Sequence, residues 1–147
     1  MGCDIHVATQ RRVGDKWERV ERVVKGEREE LFGDRNYVLF AVLANVRNRW
    51  GITPIAEPRG FPEDFFAECK GTDDDGFLTH EGTWMGCHSY SWLTLSEIET
   101  YDWKQRSVMG NNASVGWDCE SFTNLFPCFR ALADSSDDIR FVFGFDN

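Results

Sequence analysis

The last segment of the chain constrains the fold most. Ile139, Phe141, Phe143 and Phe145 alternate with Arg140, Val142, Gly144 and Asp146. Successive side chains of a strand point to opposite faces, so this period of two predicts a strand with one strongly apolar and one mostly polar face. A terminal strand of that kind pairs inside a sheet instead of fraying. At the other end, Cys3 to Val13 and Lys16 to Val24 are rich in Val, Ile, Thr and Trp, with Gly14-Asp15 between them. That pattern predicts a β-hairpin. Strands at both termini with helical patterns between them predict an α+β fold: an antiparallel sheet including both terminal strands, a buried central helix, and shorter helices packed on the same side.

The central helix is expected over Asn36 to Arg47, which is apolar on nearly every face. Asp34 is the expected N-cap, and Arg47 and Arg49 suit the negative end of the helix dipole. Residues 25–34 are charged and read as loop. Pro54, Pro58 and Pro62 stiffen the stretch that follows the helix. Asp64 to Lys70 suggests one or two helical turns, and Gly71 to Thr83, with its Asp73-Asp74-Asp75-Gly76 run, an exposed loop. Thr94-x-x-Glu97 is a capping box opening a short helix to about Tyr101. Residues 103–119 show no clear pattern, and Ser121 to Ala133 reads as helix, kinked or restarted at Pro127.

A chain of 147 residues makes one domain, residues 1–147. The longest apolar run, Tyr37 to Ala44, is far too short to cross a bilayer. The start lacks the basic and apolar regions of a signal peptide, and His6 stands where an acylation motif wants Ser or Thr. The five cysteines are odd in number and have no C-x-x-C spacing, so reduced thiols in a cytoplasmic setting are expected. Net charge is −9, with a basic excess in 11–28 and an acidic one in 61–82. An acidic chain is repelled by duplex phosphates, which argues against general DNA binding.

Several familiar chemistries fail on their motifs. Asp4-Ile5-His6 has the D-x-H of metallophosphoesterases, but the remaining histidines, His80 and His88, lie in none of that family's motifs. H-x-[ST] pairs, H-E-x-x-H, P-loop and G-x-S-x-G patterns are absent. Glu68-Cys69-Lys70 alone is too short to mark a nuclease, and an EF-hand loop ending at Gly82 lacks its ligands. Four candidates remain. Asp4 and His6 share one strand face, as a structural pair or as ligands for a divalent metal. Arg35 stands at the positive end of the central helix, where an anion would compensate it, or else Asp34 or Glu30. Arg59, in the stiff segment Glu57-Pro58-Arg59-Gly60-Phe61-Pro62, suits a two-point anion clamp or an internal pair with Glu57 or Asp64. His88-Ser89-Tyr90-Ser91-Trp92 combines rings and hydroxyls that can stack a base and bond its sugar, or simply pack a core.

The blocks Met1-Gly2-Cys3-Asp4-Ile5-His6, Arg35-Asn36-Tyr37-x-Leu39-Phe40-Ala41-x-Leu43-Ala44-x-Val46-Arg47-Asn48, Pro54-Ile55-Ala56-Glu57-Pro58-Arg59-Gly60, His88-Ser89-x-Ser91-Trp92-Leu93-Thr94-Leu95 and Phe143-x-Phe145-Asp146-Asn147 resemble a group of small phage and prophage proteins of undetermined function. The resemblance implies expression in the cytoplasm of an infected bacterium, where small accessory proteins often counter host defences. The expected function is capture of a small phosphorylated or nucleotide-like ligand, such as a defence signal. Arg35, Arg47 and Arg59 would hold its anionic groups, Tyr90 and Trp92 its ring, and His88, Ser89 and Ser91 its polar edge. All should converge on one concave surface. Two alternatives stand beside it: a metal-assisted nucleotide hydrolase using Asp4, His6 and His88, and an acidic inhibitor that docks on a host defence protein.

Overall fold

The computed structural model describes residues 2–70, 77–106 and 114–147. The N-terminal hairpin pairs β1 (Asp4–Val13) with β2 (Lys16–Val20) across Gly14-Asp15. Gly14 has φ +65°, the left-handed first position that a tight hairpin turn favours. Two short strands, β3 (Arg22–Val24) and β4 (Glu27–Glu29), then form a hairpin of their own. This corrects the loop expected over 25–34. Lys25 and Gly26 both take positive φ, so a two-residue turn closes strands too short and too charged to show a period.

The central helix α1 (Tyr37–Ala44) is shorter than expected, and its cap is Asn36, not Asp34. The Asn36 side chain accepts from the Leu39 N–H at 3.1 Å and donates to the Asp118 carbonyl at 2.9 Å. The C-terminus closes at Asn45, whose φ of +58° lets it and Val46 donate back to Ala41 and Phe40. That left-handed cap ends the helix before Arg47.

Strands β5 (Glu68–Lys70), β6 (Phe77–His80) and β7 (Thr83–Trp84) form a small second sheet. They replace the helical turns expected over 64–70 and the loop expected up to residue 83. Residues 71–76, including the Asp73–Asp75 run, lie outside the described residues. The turn between β6 and β7 is Glu81-Gly82, again with both φ positive.

Strand β8 (His88–Thr94) leads into α2 (Leu95–Glu99) through the predicted capping box: the Glu97 N–H donates to Thr94 Oγ1, and Glu97 Oε1 accepts from the Thr94 N–H. Short helices α3 (Val115–Asp118), α4 (Glu120–Thr123) and α5 (Phe126–Arg130) follow, and Pro127 opens the last as expected. The chain ends in β9 (Ile139–Asp146), which runs between β1 and β8 in the order β2-β1-β9-β8, antiparallel throughout.

The odd-numbered residues of β9 face the helices. Phe141, Phe143 and Phe145 pack with Ile5 and Val7 of β1, Phe40 and Leu43 of α1, and Phe122 and Phe129 of α4 and α5. The even face is not polar as expected, since Arg140, Val142 and Gly144 are buried too. It is covered by Phe61 and Phe65 of the proline-rich segment, Met85, and Tyr90 and Trp92 of β8, so β9 is a central strand buried on both faces.

Candidate functional site

Strand β8 lies at an edge of the main sheet and carries a bulge. His88 pairs with Phe145 and Ser91 with Phe143, so one extra residue is accommodated between them, and Ser89 takes φ +54°. The bulge splits the His88–Trp92 segment. His88 and Ser89 turn towards the end of α1. The Tyr90 ring lies over Gly144, and its hydroxyl donates to the Gly86 carbonyl at 2.9 Å. Ser91 is fully buried and accepts from the Arg59 N–H at 3.0 Å. Trp92 lies under the Arg59 guanidinium, 5.0 Å from its ring centre. The Tyr90 and Ser91 side chains, expected to contact a ligand, are both engaged in internal hydrogen bonds. They bind the proline-rich segment to the sheet edge, where the Gly60 N–H also donates to the Tyr90 carbonyl.

One cleft of about 340 Å³ is lined by Asn45, Arg47, Glu57, His88, Ser89 and Asn147. Three of the five non-glycine residues with positive φ among those described meet here: Asn45, Arg47 (φ +54°) and Ser89. Asn45 is explained by the helix cap and Ser89 by the bulge. Arg47 stands in the turn that follows the cap, where its carbonyl accepts from the Arg49 N–H at 3.0 Å, and its left-handed backbone costs about 1–2 kcal/mol in a residue with a Cβ. Arg47 makes no ion pair with any described residue. Its guanidinium lies 5.7 Å from the centre of the Tyr37 ring. Burial pushes the neighbouring Cys3 thiol up, and the Arg47 charge partly opposes this. His88 Nδ1 is 2.9 Å from Ser89 Oγ, while its Nε2 is buried without a partner among the described residues. Two further side chains that line it are held in place: Asn45 donates to Glu57 at 3.0 Å, and Asn48 donates to Asn45 Oδ1 at 2.8 Å. The cleft is thus lined by a cation that makes no ion pair with a described residue, a serine hydroxyl, an imidazole and a carboxylate.

Asp4 and His6 project from the same face of β1, as expected, but pair elsewhere. Arg35 grips Asp4 with two hydrogen bonds of 2.8 and 2.9 Å and holds its carboxyl below the usual range. Arg35 thus pairs with neither Asp34 nor Glu30, and Glu30 is taken by Arg19. His6 Nε2 lies 2.6 Å from Asp146 Oδ2, and its ring packs against Trp84. Among the described residues no three His, Cys, Asp or Glu side chains gather to hold a metal ion.

Arg59 pairs with Glu97 through two contacts of 2.9 and 2.5 Å, not with Glu57 or Asp64, and also donates to the Trp92 carbonyl. That guanidinium holds the Glu97 carboxyl below its ordinary range. Arg59 and Trp92 border a second cleft, of about 610 Å³, with Phe61, Asp64 and Arg140. Arg140 was missed in the sequence because it stands on the face read as solvent-exposed. Its Nε donates to Gln10 Oε1 and its Nη1 to Asp64 Oδ1, both at 2.8 Å, and its guanidinium lies 4.2 Å from the Trp17 ring centre. Nη2 is buried with no partner among the described residues. The predicted residues therefore fall into three places: Arg47 with His88 and Ser89, Arg59 with Trp92, and Arg35 with Asp4.

An antiparallel sheet covered on both faces, with polar clefts at the helix end and beside its β8 edge, is the class of protein defined here. No described helix is long and apolar enough to cross a membrane. Comparison of the chain with protein-family models, curated proteins and solved structures finds no match in any of the three.

Proposed function

We propose that this protein binds a small phosphorylated ligand in the Arg47–His88–Ser89 cleft and sequesters it without chemical change. The observation that supports this most is Arg47, which makes no ion pair with any described residue and lies on a left-handed backbone in the cleft that His88 and Ser89 also line. A strained backbone with an unpaired cation is an unfavourable arrangement for stability alone, and an anion would compensate it. Ser89, with its hydroxyl oriented by His88, adds a directional hydrogen bond, and Glu57 in the same cleft accepts from a hydroxyl or amine on the same ligand. A nucleotide's ring would find no stacking platform from Tyr90, whose hydroxyl and face are both used internally. The resemblance to phage proteins supports capture of a host defence signal in the infected cytoplasm as the setting.

The test is mass spectrometry of small molecules released by denaturing protein purified from defence-active cells, with calorimetric titration of the compound found. Intact ligand is expected, whereas release of a cleaved product would favour the hydrolase. Arg47→Ala should weaken binding by roughly 1.5–3 kcal/mol. Arg47→Gly should weaken it equally while leaving stability unchanged or up to about 1 kcal/mol higher, because glycine relieves the left-handed strain. Undiminished affinity in both variants would exclude this cleft.

A further inference from the structure

We infer that the cleft between Trp92 and the 61–64 segment is a second ligand site, taking an aromatic carboxylate whose carboxyl group replaces that of Asp64 on the Arg140 guanidinium. It is separate from the Arg47 cleft and does not rest on that reading.

The floor of the cleft is a cation that the fold leaves incompletely compensated. The Arg140 side chain is only 5% exposed, yet Asp64, its one ionic partner among the described residues, is 59% exposed on a surface turn. The Gln10 hydrogen bond and the Trp17 ring hold the guanidinium in place, and Arg140 lines the cleft together with Asp64. Asp64 takes Nη1 alone, and Nη2 has no partner among the described residues. Burial draws the Arg140 pKa down, an effect Asp64 only partly opposes. An arginine edge offers two parallel N–H donors that match the two oxygens of a carboxylate. Asp64 shows that a carboxylate fits there, but the turn that carries it lets it use only one of the two donors.

The rest of the lining selects what is attached to that carboxylate. Phe61, Pro62 and Trp92 form apolar walls, and the volume of about 610 Å³ exceeds what a single anion fills. Arg59 also lines the cleft, its charge already shared with Glu97 and the Trp92 ring. A flat ring between Phe61 and Trp92 would bury apolar surface while its carboxylate reaches Arg140.

Benzoate, acetate and inorganic phosphate, titrated separately into the full chain and followed by calorimetry and by the indole signals of Trp92 and Trp17, test this. Benzoate should bind at least tenfold more tightly than acetate or phosphate. Asp64→Asn should tighten benzoate binding about tenfold, because asparagine keeps an acceptor for Arg140 and so preserves the fold but competes without charge. Arg47→Ala should leave it unchanged. The site is overturned if Asp64→Asn has no effect or weakens binding, or if phosphate binds as well as benzoate. Loss of benzoate binding in Arg47→Ala would place it in the other cleft and equally overturn the proposal.

Discussion

Replacing Gly144 by alanine is expected to be among the most damaging single-atom changes in the molecule. Gly144 sits in the centre of β9, opposite His6 on β1 and beside the bulge of β8. A Cβ there would lie 2.7 Å from Tyr90 Cδ1 and 3.0 Å from Cε1, and closer still to the Met85 carbonyl oxygen. The ring can shift slightly, but the carbonyl is backbone, and Met85 is completely buried. Overpacking a core costs typically 1–3 kcal/mol, and an immovable obstacle puts this case at about 3 kcal/mol or more. For a chain of this length that lowers Tm by roughly 6–12 °C. Urea unfolding of Gly144→Ala against wild type measures it directly. Adding Tyr90→Ala should recover none of the Met85 share, so the double variant stays well below wild type. Gly14→Ala is the control: its φ of +65° is strained for alanine, but no atom lies within 4 Å, so the cost is about 1 kcal/mol. A Gly144→Ala protein within 1 kcal/mol of wild type would refute the packing of Tyr90 and Met85 over β9.

Two further outcomes follow from the charges and thiols. Arg59 holds the folded Glu97 pKa below its unfolded value, so the pair's stability is present above the ordinary carboxylate range and is lost as pH falls through the folded value. Glu97 is a third exposed, so the effect is at most about 1 kcal/mol; Arg59→Gln should flatten the acid limb of a stability–pH curve, and an unaltered limb would count against the pair. Cys87 and Cys128 are exposed, whereas Cys3 and Cys119 are buried, and burial pushes the Cys119 thiol up to about 12. A thiol reagent should therefore modify Cys87 and Cys128 in the native protein and reach Cys3 and Cys119 only on unfolding; rapid native labelling of Cys119 would contradict its burial. The Cys69 side chain lies outside the described residues.

The period of β9, the capping box at Thr94 and Glu97, the hairpin at Gly14 and the restart at Pro127 were all legible in the sequence. Each depends on residues within a few positions of one another, where side-chain direction and backbone preference follow from the local pattern alone. Arg47, His88, Ser89, Arg59 and Trp92 were legible as candidates for the same reason: their chemistry is carried by single residues. Their grouping was not. Arg35 pairs with Asp4 31 positions away, Arg59 with Glu97 38 away, and Arg140 with Asp64 76 away. The nearer acids that the sequence offered to Arg35 and Arg59 lost to these distant partners. The β3–β4 and β6–β7 hairpins left only a faint trace, a glycine at the second turn position. The second face of β9 looked polar because its cover comes from the proline-rich segment, and one bulge at Ser89 sends neighbouring side chains into different clefts. Long-range pairing depends on how separately formed elements meet, and the energy that selects one meeting over another is spread over many contacts that no short stretch of chain contains.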